Sequence, residues 1–245
     1  MQKIDCILIR KISSITFILL LLKMINRIHN FNSYLHEKHL TRYTLYYFFL
    51  LSFMIFALPY AIHTFHLDLI VFRLYVILVL ASSIFLTQKG LIKNIILVLI
   101  TISVTLFIHH DNPNLMLQII RNLCLTIFLV VILHEIIFDI LTSEISVRIL
   151  FQALNGYLLL GLVASEVLKL IHLHDADSFN FSPIHLYNHV YLSFILISSV
   201  GLGDLVPLTS GAKSIVVLIS VLGQMYNLFF TSVIIGKYVG MSIKK

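Results

Sequence analysis

Apolar and polar positions in this chain fall into long blocks rather than a short repeat. Runs long enough to cross a hydrocarbon core of about 30 Å cover residues 43–62, 67–87, 91–108, 115–140, 149–172 and 212–241. Short polar breaks separate them: Pro59 with His63 to Asp68, Gln88 to Asn94, His109 to Asn114, and Thr142 to Arg148. Between the last two runs lie a polar loop with Asp175 and Asp177, an apolar stretch from Leu186 to Ser198 too short to cross, a glycine-containing segment, and a return at Pro207 to Gly211. The pattern predicts an all-α membrane protein of six transmembrane helices, with a re-entrant helix and loop between the fifth and the sixth. An earlier apolar run, Ile12 to Leu22, rises only about 16 Å as a helix. It predicts an interfacial or half-inserted helix, with a seventh span as the alternative, and no small-residue cleavage site makes it a removable signal. Asn26 to Arg42 reads as a polar cytoplasmic linker.

Composition excludes an ordinary soluble domain: of 245 residues, 59% are hydrophobic and 11% charged, and the mean hydropathy is +1.00. The formal charge of +6 does not indicate nucleic acid, because the Lys and Arg residues sit singly between apolar runs. That distribution follows the positive-inside rule. The loop with Lys89 and Lys93 falls inside, the basic-free loops at 63–68 and 109–114 fall outside, and both termini are cytoplasmic in a multi-pass protein of the cell (inner) membrane. Arg73, Arg121 and Lys213 are the exceptions; Arg73 and Arg121 lie close enough to span ends to snorkel. Cys6 and Cys124 offer neither a disulfide framework nor a metal motif.

The candidate chemistry lies in Tyr191 to Pro207, YLSFILISSVGLGDLVP. Non-helical backbone at membrane depth persists only where protein buries it or it lines a wet cavity. Gly201 and Gly203, two apart, open backbone conformations closed to other residues. Alternated with Val200 and Leu202, they let successive carbonyls point to one side, and a column of carbonyls repeated around an axis replaces the hydration shell of a cation. Ser199 adds a hydroxyl at the inner end of that column. The helix before it aims its partially negative carbonyl end at the same place.

The segment SSVGLGDLVP resembles the selectivity filter of potassium channels, usually T-x-G-[YF]-G-D, and the resemblance extends from about Arg148 to Lys245. It is similar to bacterial channels that join a two-helix pore module to four upstream helices. The resemblance implies a homotetramer in which Ser199, Val200, Gly201 and Leu202 line K+ sites, Gly203 completes the signature, Asp204 sits at the outer mouth and Gly223 is the gating hinge of the inner helix. It also implies this division: 1–42, a cytoplasmic or interfacial segment; 43–141, a four-helix region; 148–245, the pore domain. Implied partners are K+, membrane lipid and three further copies, with no cofactor besides the permeant ion. The few residues after the inner helix carry the expectation that no nucleotide- or calcium-binding gating domain follows.

Two positions depart from the usual form. Ser199 replaces Thr, which keeps the hydroxyl and loses a methyl that restrains its rotamer. Leu202 replaces Tyr or Phe, so the phenol behind the filter is missing. Tyr191 and Leu192 stand where a pair of tryptophans often occurs, and Leu202 packing on Leu192 is the expected apolar substitute. Leucine also occurs at this position in the second pore loop of some two-pore-domain potassium channels. A weakly selective K+/Na+ channel and a non-conducting partner subunit are the alternatives.

Other candidates carry less. Residues 115–140 hold only Arg121, so voltage sensing through a ladder of charges is not expected. His134, Glu135 and Asp139 lack the second histidine of a zinc motif, since position 138 is Phe; pairing with Arg148 is the expectation. Glu166 is expected to pair with Lys169 or brace the pore loop. Eight histidines, His63, His66, His109, His110, His172, His174, His185 and His189, fall on the outer side, and His185 and His189 open the pore helix as candidates for external pH modulation. No nucleophile and base pair at membrane depth suggests an enzyme.

Overall fold

The computed structural model describes residues 41–57, 114–144, 146–182 and 186–243. The chain divides into two compact units, Met1–Arg42 and Tyr43–Lys245. Of the first, only residues 41 and 42 are described, both helical. The expected spans at 67–87 and 91–108, the end of the run at 43–62 and the expected N-terminal helix lie outside the described residues.

In the second unit the chain is α-helical from residue 43 through 52 and passes into a π-helical turn, Phe53–Ala57; together these are α1. Then come α2 (Leu115–Thr142), α3 (Val147–His174), the short α4 (Leu186–Ile197) and α5 (Ser210–Ile243). Among the described residues three helices are long and apolar enough to cross a membrane: Leu115–Thr142, Val147–His174 and Ser210–Lys237. They agree with the expected runs at 115–140, 149–172 and 212–241. No strand occurs among the described residues beyond a single antiparallel bridge between Phe179 and Pro207.

α3 is shared by two cores. On one side Tyr47, Leu51 and Ile55 of α1 and Phe128, Ile132, Ile136 and Ile140 of α2 pack against Ile149, Ala153 and Leu159. On the other, Ala164 and Leu168 meet Phe179, Leu192 and Ile197 of the segment between α3 and α5, and Ala212 and Ile219 of α5. Lipid tails are as apolar as these side chains, so close packing decides the arrangement rather than escape from water. Small residues supply the closeness. The Phe194 ring lies over Gly161, and the Tyr226 hydroxyl lies over Gly156 and donates to the Ala153 carbonyl at 2.8 Å.

Where α2 gives way to α3, Arg148 pairs with Asp139 at 2.8 Å, as its sequence position suggested. Ser143 and Gln152 donate to the same carboxylate at 2.8 and 3.3 Å. Lys237 of α5 donates to the carbonyls of Ile140 and Leu141 at 2.6 and 3.0 Å and to that of Ser143. A cation on the last carbonyls of α2 satisfies groups the helix itself leaves open.

Candidate functional site

α4 stops because its C-terminus folds back on itself. Ser199 N–H donates to the Leu196 carbonyl and Val200 N–H to the Ile195 carbonyl, both at 3.1 Å. These bonds form a Schellman cap, whose penultimate residue needs the left-handed conformation that glycine usually supplies. Here it is Ser199, with φ +58°. Two residues on, Gly201 has φ +55°, and two further, Gly203 has φ +77°. Positions 199, 201 and 203 are thus left-handed while Val200 and Leu202 are not. Alternation of this kind turns successive peptide units the same way, so that their like poles line one side.

That segment is bare on one face. Among the described residues, nothing besides their own chain neighbours lies within 4 Å of a Cβ placed on Gly201 or Gly203. Val200 is 60% exposed and Leu202 65%, whereas Leu192 is 2% exposed and buried among Ala164, Leu168 and Ile197. The expected burial of Leu202 against Leu192 is not reached within one chain: Leu192 is turned into the core behind α4, and Leu202 is left facing outward.

The outer end is tethered by a loop that no sequence motif marks. Asn180 Nδ2 donates to the Asp204 carbonyl at 2.9 Å, and its Oδ1 accepts from Val206 N–H at 2.9 Å. Asn180 N–H donates to the Val206 carbonyl at 3.2 Å, and Leu208 N–H to the Ser178 carbonyl at 2.8 Å. Residues 204–208 are therefore zipped to 178–180. The only hint in the sequence is an amide side chain in a short polar loop.

Asp204 is exposed and accepts the Tyr191 hydroxyl at 2.7 Å. That bond, the largest influence, holds its carboxyl below the ordinary value of 3.8, helped by the N–H groups of Asp204 and Leu205 and opposed by partial desolvation. The same contact pushes the Tyr191 phenol up. A phenol absent at position 202 is thus supplied to Asp204 from α4.

The inner end bears on α5. A Cβ on Gly223 would lie 2.6 Å from Ile197 Cα and 2.7 Å from its carbonyl oxygen. α5 runs unbroken through Gly223, so the residue expected as a hinge is here the place where two backbones meet. Beside it, Gln224 Nε2 donates to Ser199 Oγ at 2.6 Å and to the Ile197 carbonyl at 3.4 Å. Sequence reasoning overlooked Gln224, although a polar residue next to the glycine in an apolar helix was its visible signal.

Of the histidines, His172 Nδ1 and His189 Nε2 lie 2.9 Å apart, both buried, with Phe179 and Phe181 against them. His189 therefore braces α4 against α3 and is shielded from external solvent. His185, with His63, His66, His109 and His110, lies outside the described residues. Arg121, expected to snorkel, is instead buried beside Asn122, in electrostatic reach of Glu166, which interacts more strongly with Lys169. His134 is exposed.

Two helices long and apolar enough to cross a membrane, α3 and α5, flank a short helix that ends in an irregular segment. Residues 154–239, from within α3 to near the end of α5, match the model of a family described as "Ion channel". The match supports an ion channel and not an enzyme. No curated protein and no solved structure matches the chain.

Proposed function

We propose that the chain is one subunit of a homotetrameric channel that conducts K+ passively across the membrane. In this reading the oxygens of Ser199, Val200, Gly201 and Leu202 replace the ion's water, Gly203 closes the run and Asp204 concentrates cations at the outer mouth. The observation that carries it is the left-handed backbone at 199, 201 and 203 on a face the chain leaves bare. Four copies about one axis close such a face into rings. The inner helix supports the same arrangement, since Val217, Val221, Met225 and Leu228 of α5 are exposed in the single chain and need protein or lipid beside them.

Purified protein in liposomes is expected to show K+ flux blocked by barium and a reversal potential that follows the K+ gradient over the Na+ gradient. Gly201→Ala is expected to abolish flux. Its φ of +55° costs an L-residue about 1–2 kcal/mol per chain, and relaxation moves the carbonyls on both sides. Survival of conductance in that variant sinks the assignment. The second reading, a weakly selective cation channel, is favoured by Leu202, which has no hydrogen-bonding group behind the strand; equal K+ and Na+ permeability decides for it. Tetramers without flux decide for a non-conducting subunit.

A further inference from the structure

We propose that Gln224 is a specificity-determining residue of the innermost ion site, acting by positioning the Ser199 hydroxyl. The inference rests on the potassium-channel reading above and assigns a role to a side chain that reading does not use. Three observations converge on it. Ser199 occupies the left-handed cap of α4, with φ +58°, a conformation that a non-glycine residue adopts only when its surroundings hold it. Its side chain lacks the second β-substituent that would restrict χ1, so the backbone alone does not set where Oγ points. Gln224 supplies that restraint, at 2.6 Å.

The orientation of the amide is fixed by its neighbours. Its nitrogen lies near both Ser199 Oγ and the Ile197 carbonyl, 3.4 Å away, and a carbonyl can only accept. The amide therefore donates, and it donates to the hydroxyl. A hydroxyl has two acceptor positions; with one taken by Gln224, the other is left on the exposed side of the chain, where the ion path runs. An oxygen held this way keeps its distance from an ion and does not relax inward onto a smaller one. Gly223 makes the contact possible, because α5 touches Ile197 without a side chain between them.

A capping role alone explains the bond to Ile197 but not the one to Ser199, and the two are separable. Bi-ionic K+/Na+ reversal potentials are measured for the full-length wild type, Gln224→Leu, Gln224→Asn, Ser199→Ala, Ser199→Ala with Gln224→Leu, and Ser199→Thr with Gln224→Leu. Each sample is first shown to match the wild-type oligomer by size. Gln224→Leu is expected to lower the K+/Na+ permeability ratio about fivefold, the scale of one hydrogen bond. Gln224→Asn keeps the amide but falls a methylene short and is expected to match it. In the Ser199→Ala background Gln224→Leu is expected to add nothing, the signature of a shared interaction. Ser199→Thr is expected to restore the ratio in the Gln224→Leu protein, because the added methyl restrains the same rotor. An unchanged ratio in both Gln224 variants, or an equal fall with and without the Ser199 hydroxyl, overturns the proposal and leaves the channel reading standing. A wild type that conducts without preferring K+ overturns the potassium reading and this assignment with it.

Discussion

The two ends of the strand at 199–204 are held by different physics. The inner end is a steric contact: the α5 backbone at Gly223 lies against Ile197 with no room for a methyl group, in a dry layer with Ile219 and Leu192. The outer end is a set of hydrogen bonds, from Asn180 and Tyr191, made by exposed groups in reach of water. Between them Val200 and Leu202 are largely exposed, and among the described residues a Cβ on Gly201 or Gly203 would meet nothing within 4 Å beyond their chain neighbours. A packed contact is stiff and fails abruptly, whereas solvated hydrogen bonds exchange with water at little net cost and respond to pH and ions. The segment is thus anchored at its Ser199 end and adjustable at its Asp204 end.

Gly223→Ala tests the stiff end and carries the largest expected effect. Its Cβ meets backbone atoms at 2.6 and 2.7 Å, which no rotamer change relieves. Overpacking of this kind costs about 1–3 kcal/mol per site, and in the proposed homotetramer it would occur four times. The variant is expected to lose flux and much of its thermal stability, read by scanning the melting of the detergent-solubilised oligomer. A hinge at Gly223, if one operates, must first part α5 from Ile197. An alanine variant that conducts and melts like the wild type removes the distinction between the ends.

Asn180→Ala probes the adjustable end and is expected to act more mildly. It deletes two side-chain hydrogen bonds to residues 204 and 206, each worth about 0.5–1.5 kcal/mol net, at the low end where water replaces them. The backbone bond to Val206 and the one from Leu208 to Ser178 remain. Flux is expected to persist in high external K+ and to decay when external K+ is lowered, because fewer ions then hold the carbonyls in place. Currents that are equally stable in both solutions place the restraint elsewhere.

This difference explains which features were readable beforehand. Long apolar blocks predict spans, and α2, α3 and α5 follow the runs at 115–140, 149–172 and 212–241. Gly201 and Gly203 advertise left-handed backbone, and both have it. Ser199 shares that conformation without advertising it, because the requirement comes from the way α4 ends and not from the residue. Asn180 reaches Asp204 across 24 positions, and His172 reaches His189 across 17; no periodicity links either pair. Arg121 reads as an interfacial cation, yet the fold buries it beside Asn122. Leu202 and Leu192 are near in the sequence, yet the helix end turns them apart.

The smallest expected effect comes from Tyr191→Phe, which removes one oxygen at the outer mouth. The Tyr191 hydroxyl is the main reason the Asp204 carboxyl lies below its ordinary value of 3.8. A depressed carboxyl is charged throughout the neutral range, and its contribution is present above the ordinary value and lost as pH falls through the depressed one. Without the hydroxyl the partial desolvation of the carboxylate is less opposed, so its titration moves up. Acid inhibition of the current from the outside is therefore expected to begin at higher pH in Tyr191→Phe than in the wild type, with no change at pH 7. Asp204→Asn removes the titration altogether and is the reference for it. A midpoint that stays where it is in Tyr191→Phe means the outer end is set by Asn180 alone, and the contrast between a packed inner end and a titratable outer end narrows to packing against backbone hydrogen bonds.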